Sequence, residues 1–89
     1  MNAMFYSSGC TYRGTRRVDF TKDDRRITGY HLDFDDAQEN EITLFVHDAE
    51  YSCIKLPEVG AIGTLIIRVK DGYQGSKKVE FKRFEIITT

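Results

Sequence analysis

Residues 17–35 read RVDFTKDDRRITGYHLDFD, and their alternation decides the fold class. Val18 and Phe20 fall on one face of an extended segment, and Tyr30, Leu32 and Phe34 fall on one face of the next. Apolar residues two apart signal a half-buried strand, because successive side chains point to opposite faces. Lys22-Asp23-Asp24-Arg25 between them is a polar turn. The stretch therefore predicts a β-hairpin whose tip and outer face are densely cationic.

The same period continues outward. Ile42, Leu44 and Val46 alternate with Thr43, Phe45 and His47 in a further strand, after an acidic loop over residues 36–40. Leu65, Ile67 and Val69 share a face opposite Thr64, Ile66, Arg68 and Lys70. Asp71-Gly72-Tyr73-Gln74-Gly75-Ser76 reads as a Gly-rich hairpin loop. Val79 and Phe81 are in phase, whereas Phe84 and Ile86 are in the opposite phase, which predicts a β-bulge near Lys82-Arg83. A strand is expected around residues 4–7, and residues 51–56 form either a short strand or one helical turn closed by Pro57. Phe20, Phe34, Phe81 and Phe84 keep strand phase with aliphatic residues and are expected in the core. Phe45 faces away from Ile42, Leu44 and Val46, so it is either interior on another side or an exposed stacking platform. Five or six short strands in 89 residues predict a single all-β domain, a small barrel or sandwich.

Composition narrows the function classes. The chain holds no run of 18 apolar residues, so no membrane-spanning helix and no membrane partner are expected. Its first ten residues lack a basic start and a continuous apolar stretch, so no signal peptide is expected. Cys10 and Cys53 are too few for a four-thiolate metal site, could make at most one disulfide, and are expected as a reduced, cytosolic pair of free thiols. His31 and His47 lack metal-ligand spacing and are expected as exposed strand residues. Gly9, Gly14 and Gly29 do not form a phosphate loop leading into a helix. No catalytic constellation, metal site or cofactor is expected, and an enzyme is not the reading.

Net charge is −1, but it is unevenly spread. Residues 13–26 hold six cations against three anions, residues 33–50 hold seven anions and no Lys or Arg, and residues 55–89 hold seven cations against four anions. Such segregation can build a basic face and an acidic one. Cations interleaved with aromatics suit single-stranded nucleic acid, which needs a positive groove for phosphates and flat side chains for bases. Arg13, Arg16, Arg17, Lys22, Arg25 and Arg26 supply charge in the early hairpin, beside Tyr12, Phe20, Tyr30 and Phe34. Tyr73 lies at the tip of the later loop, near Lys70, Lys77 and Lys78. The alternative is a protein-binding module that meets a host protein through the acidic surface of residues 33–50.

In order of features, the chain resembles the small single-stranded-DNA-binding proteins of filamentous phages and related mobile elements. The resemblance rests on the cationic hairpin over residues 13–30, the alternating strand over residues 41–47 and the Leu56-Pro57-Glu58-Val59-Gly60 approach to a strand. The Gly-bearing hairpin over residues 71–76 and the closing Phe81-Lys82-Arg83-Phe84-Glu85-Ile86 complete it. It implies a five-stranded OB-like barrel with extended hairpins, acting as a homodimer in DNA replication in the cytoplasm of a bacterium or phage-infected host and binding single-stranded DNA, or RNA, without sequence preference. It also implies that Arg16, Arg17, Lys22, Arg25 and Arg26 contact phosphates while Tyr30 and Tyr73 stack on bases, with Arg13, Lys77 and Lys78 alongside.

Overall fold

The computed structural model describes residues 2–72 and 75–87, which form one five-stranded antiparallel sheet. The elements are β1 (Ala3–Lys22), β2 (Arg25–Asp35), β3 (Glu41–His47), α1 (Asp48–Tyr51), β4 (Ile62–Asp71) and β5 (Lys77–Ile86). The sheet order is β3-β2-β1-β4-β5. The expected strand at residues 4–7 and the strand around Val18 are one continuous β1. Its first half pairs with β4 and its second half with β2.

Two irregularities bend β1, one between Ser7 and Cys10 and one between Tyr12 and Gly14. The second is compensated by the segment before β4. Tyr12 donates its backbone N–H to the Ala61 carbonyl and accepts from the Gly60 N–H, so the bulged backbone keeps its hydrogen bonds. The β1–β2 turn is two residues long, with Asp23 at φ 52° and Asp24 at φ 60°. That backbone matches the right-handed twist of the flanking strands, and Asp tolerates it. On β5 the pairing passes from Arg83 opposite Ile66 to Phe81 opposite Ile67, which leaves Lys82 as the extra residue of the predicted bulge. A helical turn is present before Pro57, but it starts at Asp48, ahead of the expected position.

One face of the curled sheet, here called inner, carries Cys10, Tyr12, Leu32, Phe34, Leu44, Val46, Leu65, Phe81 and Phe84, all buried. Each large side chain of this kind contributes about 1.5–3 kcal/mol relative to remaining exposed. Phe34 on β2 meets Phe81 and Phe84 on β5, with ring centroids 6.1 and 5.4 Å apart. These rings draw the two ends of the sheet together, yet β3 and β5 share no ladder among the described residues. The expected barrel is therefore a curled sheet with two unpaired edges, joined across the gap by side chains alone. Phe20 departs from the expected core: it is 41% exposed, on the opposite, outer face, because its phase on β1 is that of Arg16 and Val18. Ile66 also points to the outer face but is fully buried, flanked in the ladder by Tyr6 and Arg83.

Candidate nucleic-acid interface

Directly opposed residues of an antiparallel pair project to the same side, so the ladder fixes which side chains meet. On the outer face, Arg16, His31 and Phe45 form one row across β1, β2 and β3. Val18, Gly29 and His47 form the next, and Phe20 opposite Ile27 lies beyond it toward the hairpin tip. The Phe45 ring lies over Gly29: a methyl group there would come within 2.7 Å of two ring carbons. A missing side chain on the neighbouring strand is what lets the ring lie down on the sheet. Phe20, His31 and His47 meet Phe45 edge-on, at centroid distances of 6.2, 5.9 and 4.9 Å. The result is an aromatic platform on the solvent side, with half-buried His31 where an exposed residue was expected and His47 exposed. Sequence alone leaves Phe45 open, assigns Phe20 to the core and treats His31 and His47 as separate exposed strand residues, so it does not bring the four together. Gly29 in mid-strand, together with an out-of-phase ring at Phe45, is the available signal.

The cations divide into paired and unpaired. Arg16 donates from Nε and Nη2 to both carboxylate oxygens of Asp33, at 2.7 and 2.9 Å. Arg26 grips Asp19 in the same bidentate way, at 3.0 and 2.5 Å. Arg13 lies 3.1 Å from Asp35, and Arg17 pairs with Asp48, which also accepts from the Thr28 hydroxyl. Hydrogen bonding from Arg16 holds the Asp33 carboxyl below its ordinary pKa, and Arg17 and Arg26 do the same for Asp48 and Asp19. Each of these four arginines thus already holds a carboxylate of the same chain. Lys22 and Arg25, opposed at the hairpin tip, have no hydrogen bond or ion pair among the described residues. Exposed ion pairs are weak because water and salt screen them, so an incoming anion can take over a paired guanidinium at small cost.

Tyr30 lies away from the outer platform. Its side chain is on the inner face, with the Arg17 guanidinium 5.0 Å from its ring centre and Tyr51 of α1 stacked on it at 3.8 Å. Alternation places Tyr30 in phase with Leu32 and Phe34, so the ring fastens α1 to the sheet. Lys77 is likewise on the inner face, 2.6 Å from Asp71, whereas Lys78 opposes Lys70 on the outer face. Tyr73 lies outside the described residues. Beyond the platform, on the side away from the tip, a groove of about 440 Å³ is lined by Arg13, Arg16, Asp33, Asp35, Glu41 and Thr43. Asp35 and Glu41 are directly opposed there, so the Arg13 contact offsets a like-charge pair.

The acidic stretch is consumed in part by the fold. Asp33, Asp35 and Asp48 hold arginines, and Asp36 accepts from the backbone N–H groups of Gln38 and Asn40 to close the β2–β3 loop. No group of metal-ligating side chains occurs among the described residues. Among the described residues no helix is long and apolar enough to cross a membrane. No family model matches the chain, and neither the curated proteins nor the solved structures give a match.

Proposed function

We propose that this chain binds single-stranded nucleic acid, DNA in the first instance, without sequence preference and without chemistry. The observation that carries this reading is the outward-facing Phe45–Phe20 platform beside the cationic hairpin tip. An aromatic surface on the solvent side has no core to fill, and every base has a π-face to stack on it. Lys22 and Arg25 at the tip supply charge that no carboxylate among the described residues uses. Strand order supports an OB-like reading: a five-stranded Greek-key sheet, partly open, whose β2–β3 face and β1–β2 loop meet the strand. On that reading the open seam lies between β3 and β5.

A homodimer is the assembly that fits. Phe5 and Val79, on the inner face at the far end of β1 and β5, are 52% and 42% exposed, and both sheet edges are unpaired. The alternative, a host-protein contact through residues 33–50, is less well supported, because several of its carboxylates already hold arginines or close a loop.

The chain has no Trp, so anisotropy of a labelled strand of about 30 nucleotides is the suitable readout. Three or four neutralised phosphates give a slope of log K against log salt of about −2 to −3, at about −0.7 per phosphate. Absence of binding at low salt and high micromolar protein ends the proposal.

A further inference from the structure

Excess positive charge gathers away from the hairpin, on the outer face of β4 and β5. Arg68, Lys70, Lys78, Lys82 and Arg83 project there against Glu80 and Glu85. Arg83 pairs with Glu85 at 2.7 Å, and Lys70 takes one Glu80 oxygen at 2.5 Å while Lys82 stands 3.9 Å from the other. Arg68 opposes Glu80 in the ladder, but its Nε is buried and has no hydrogen-bond partner among the described residues. A buried guanidinium N–H without an acceptor carries a desolvation cost that only an incoming acceptor repays. A groove of about 270 Å³ opens beside it, lined by Arg68, Lys82, Asn2, Ala3 and Met4. Lys82 is the extra residue of the β5 bulge, and a bulge re-aims a side chain that regular pairing would place elsewhere.

We propose that Arg68 and Lys82 form a phosphate subsite on the outer face of β4 and β5, which takes a phosphodiester of the bound single strand. The proposal rests on the single-strand reading above for the identity of its ligand. The Arg68 Nε–H is a donor in need of an acceptor, and Lys82 is a compact charge at the mouth of the same groove. Together they suit a non-bridging phosphate oxygen, with Met4 supplying an apolar wall. Met4 belongs to the same outer face as Arg16 and Phe20, further along β1, so one strand following β1 reaches both places.

The test is a salt titration of a labelled thymidine strand of about 30 nucleotides against wild type, Lys82→Met, Arg68→Met and Glu80→Gln. Each cation removed should bring the log–log slope about 0.7 closer to zero, so the affinity lost between 50 and 200 mM salt shrinks by about 2.6-fold. Glu80→Gln, which removes the competing carboxylate, should tighten binding instead. Lys82 is exposed, so Lys82→Met keeps the test interpretable if Arg68→Met folds poorly. The amide and Arg68 Nε–H resonances of wild type should shift on adding the strand. Wild-type binding with unchanged slope in Lys82→Met and an unmoved Arg68 Nε–H overturns the subsite while leaving the hairpin reading intact. No binding by wild type overturns both.

Discussion

The Arg17 guanidinium carbon lies 5.0 Å from the centre of the Tyr30 ring, and the same guanidinium pairs with Asp48 at the start of α1. Tyr30 stacks in turn on Tyr51 at the end of α1. Two residues that look like DNA contacts in the sequence thus fasten the helical turn to the sheet.

The two aromatic sites should separate in mutants. Tyr30→Ala removes a ring packed against the core and should lower stability by about 3–5 kcal/mol, the range for a large aromatic truncation. Phe45→Ala removes a platform ring and should weaken strand binding by about 1–3 kcal/mol, leaving the salt slope unchanged because stacking releases no counterions. Urea denaturation paired with anisotropy titration reads both. A binding loss in folded Tyr30→Ala larger than that in Phe45→Ala would contradict the assignment.

Gly29 is needed for the platform to lie flat. A Cβ there meets the Phe45 ring and also the backbone carbonyl of Val46, which cannot rotate away. Gly29→Ala should therefore cost about 1–3 kcal/mol of stability, as overpacking does, and weaken binding by tilting the ring. A Gly29→Ala protein as stable as wild type would show that the two strands have room to part.

Acid should weaken the fold in a defined window. Asp19, Asp33 and Asp48 are held below their ordinary pKa by hydrogen bonds from Arg26, Arg16 and Arg17. A carboxyl with a depressed folded pKa stabilises above its unfolded value, near 3.9, and loses that contribution as pH falls through the folded value. The urea midpoint should be level from about pH 7 to 5 and fall below about 4. Asp33→Asn should have a lower midpoint than wild type at pH 7, and the gap should close in acid, where Asp33 itself is neutral. A gap that persists at low pH would assign the loss to something other than charge.

The thiols should react in two phases. Cys53 is exposed and Cys10 is fully buried, and both are free. A thiol reagent should label Cys53 at once and Cys10 only as the core opens. Simultaneous labelling of both under native conditions would mean that the sheet around Cys10 opens rapidly.

Local pattern was enough for β2 to β5, the turn at Asp23-Asp24 and the bulge at Lys82, since each follows from side-chain alternation or backbone preference over a few residues, but not for the continuity of β1 through residues 8–16. It also made Leu32, Phe34, Phe81 and Phe84 legible as core, because their phase matches their aliphatic neighbours. Which strands pair, and hence which faces meet, lay beyond it. Phe20 shows why: alternation separates two faces without saying which is buried, and the answer depends on where β4 and β5 fold over β1. The arginines show it again. A run of cations reads as a basic surface until Asp33, Asp35 and Asp48 arrive from other strands or the following turn and bind them. Charge pairing between residues far apart in the chain is set by register, and register comes from the packed core. The Phe45 platform has the same origin, since its ring needs a glycine diagonal to it on the neighbouring strand. Composition therefore determined what kinds of side chain were available, while the ladder decided which of them remained free to meet a partner.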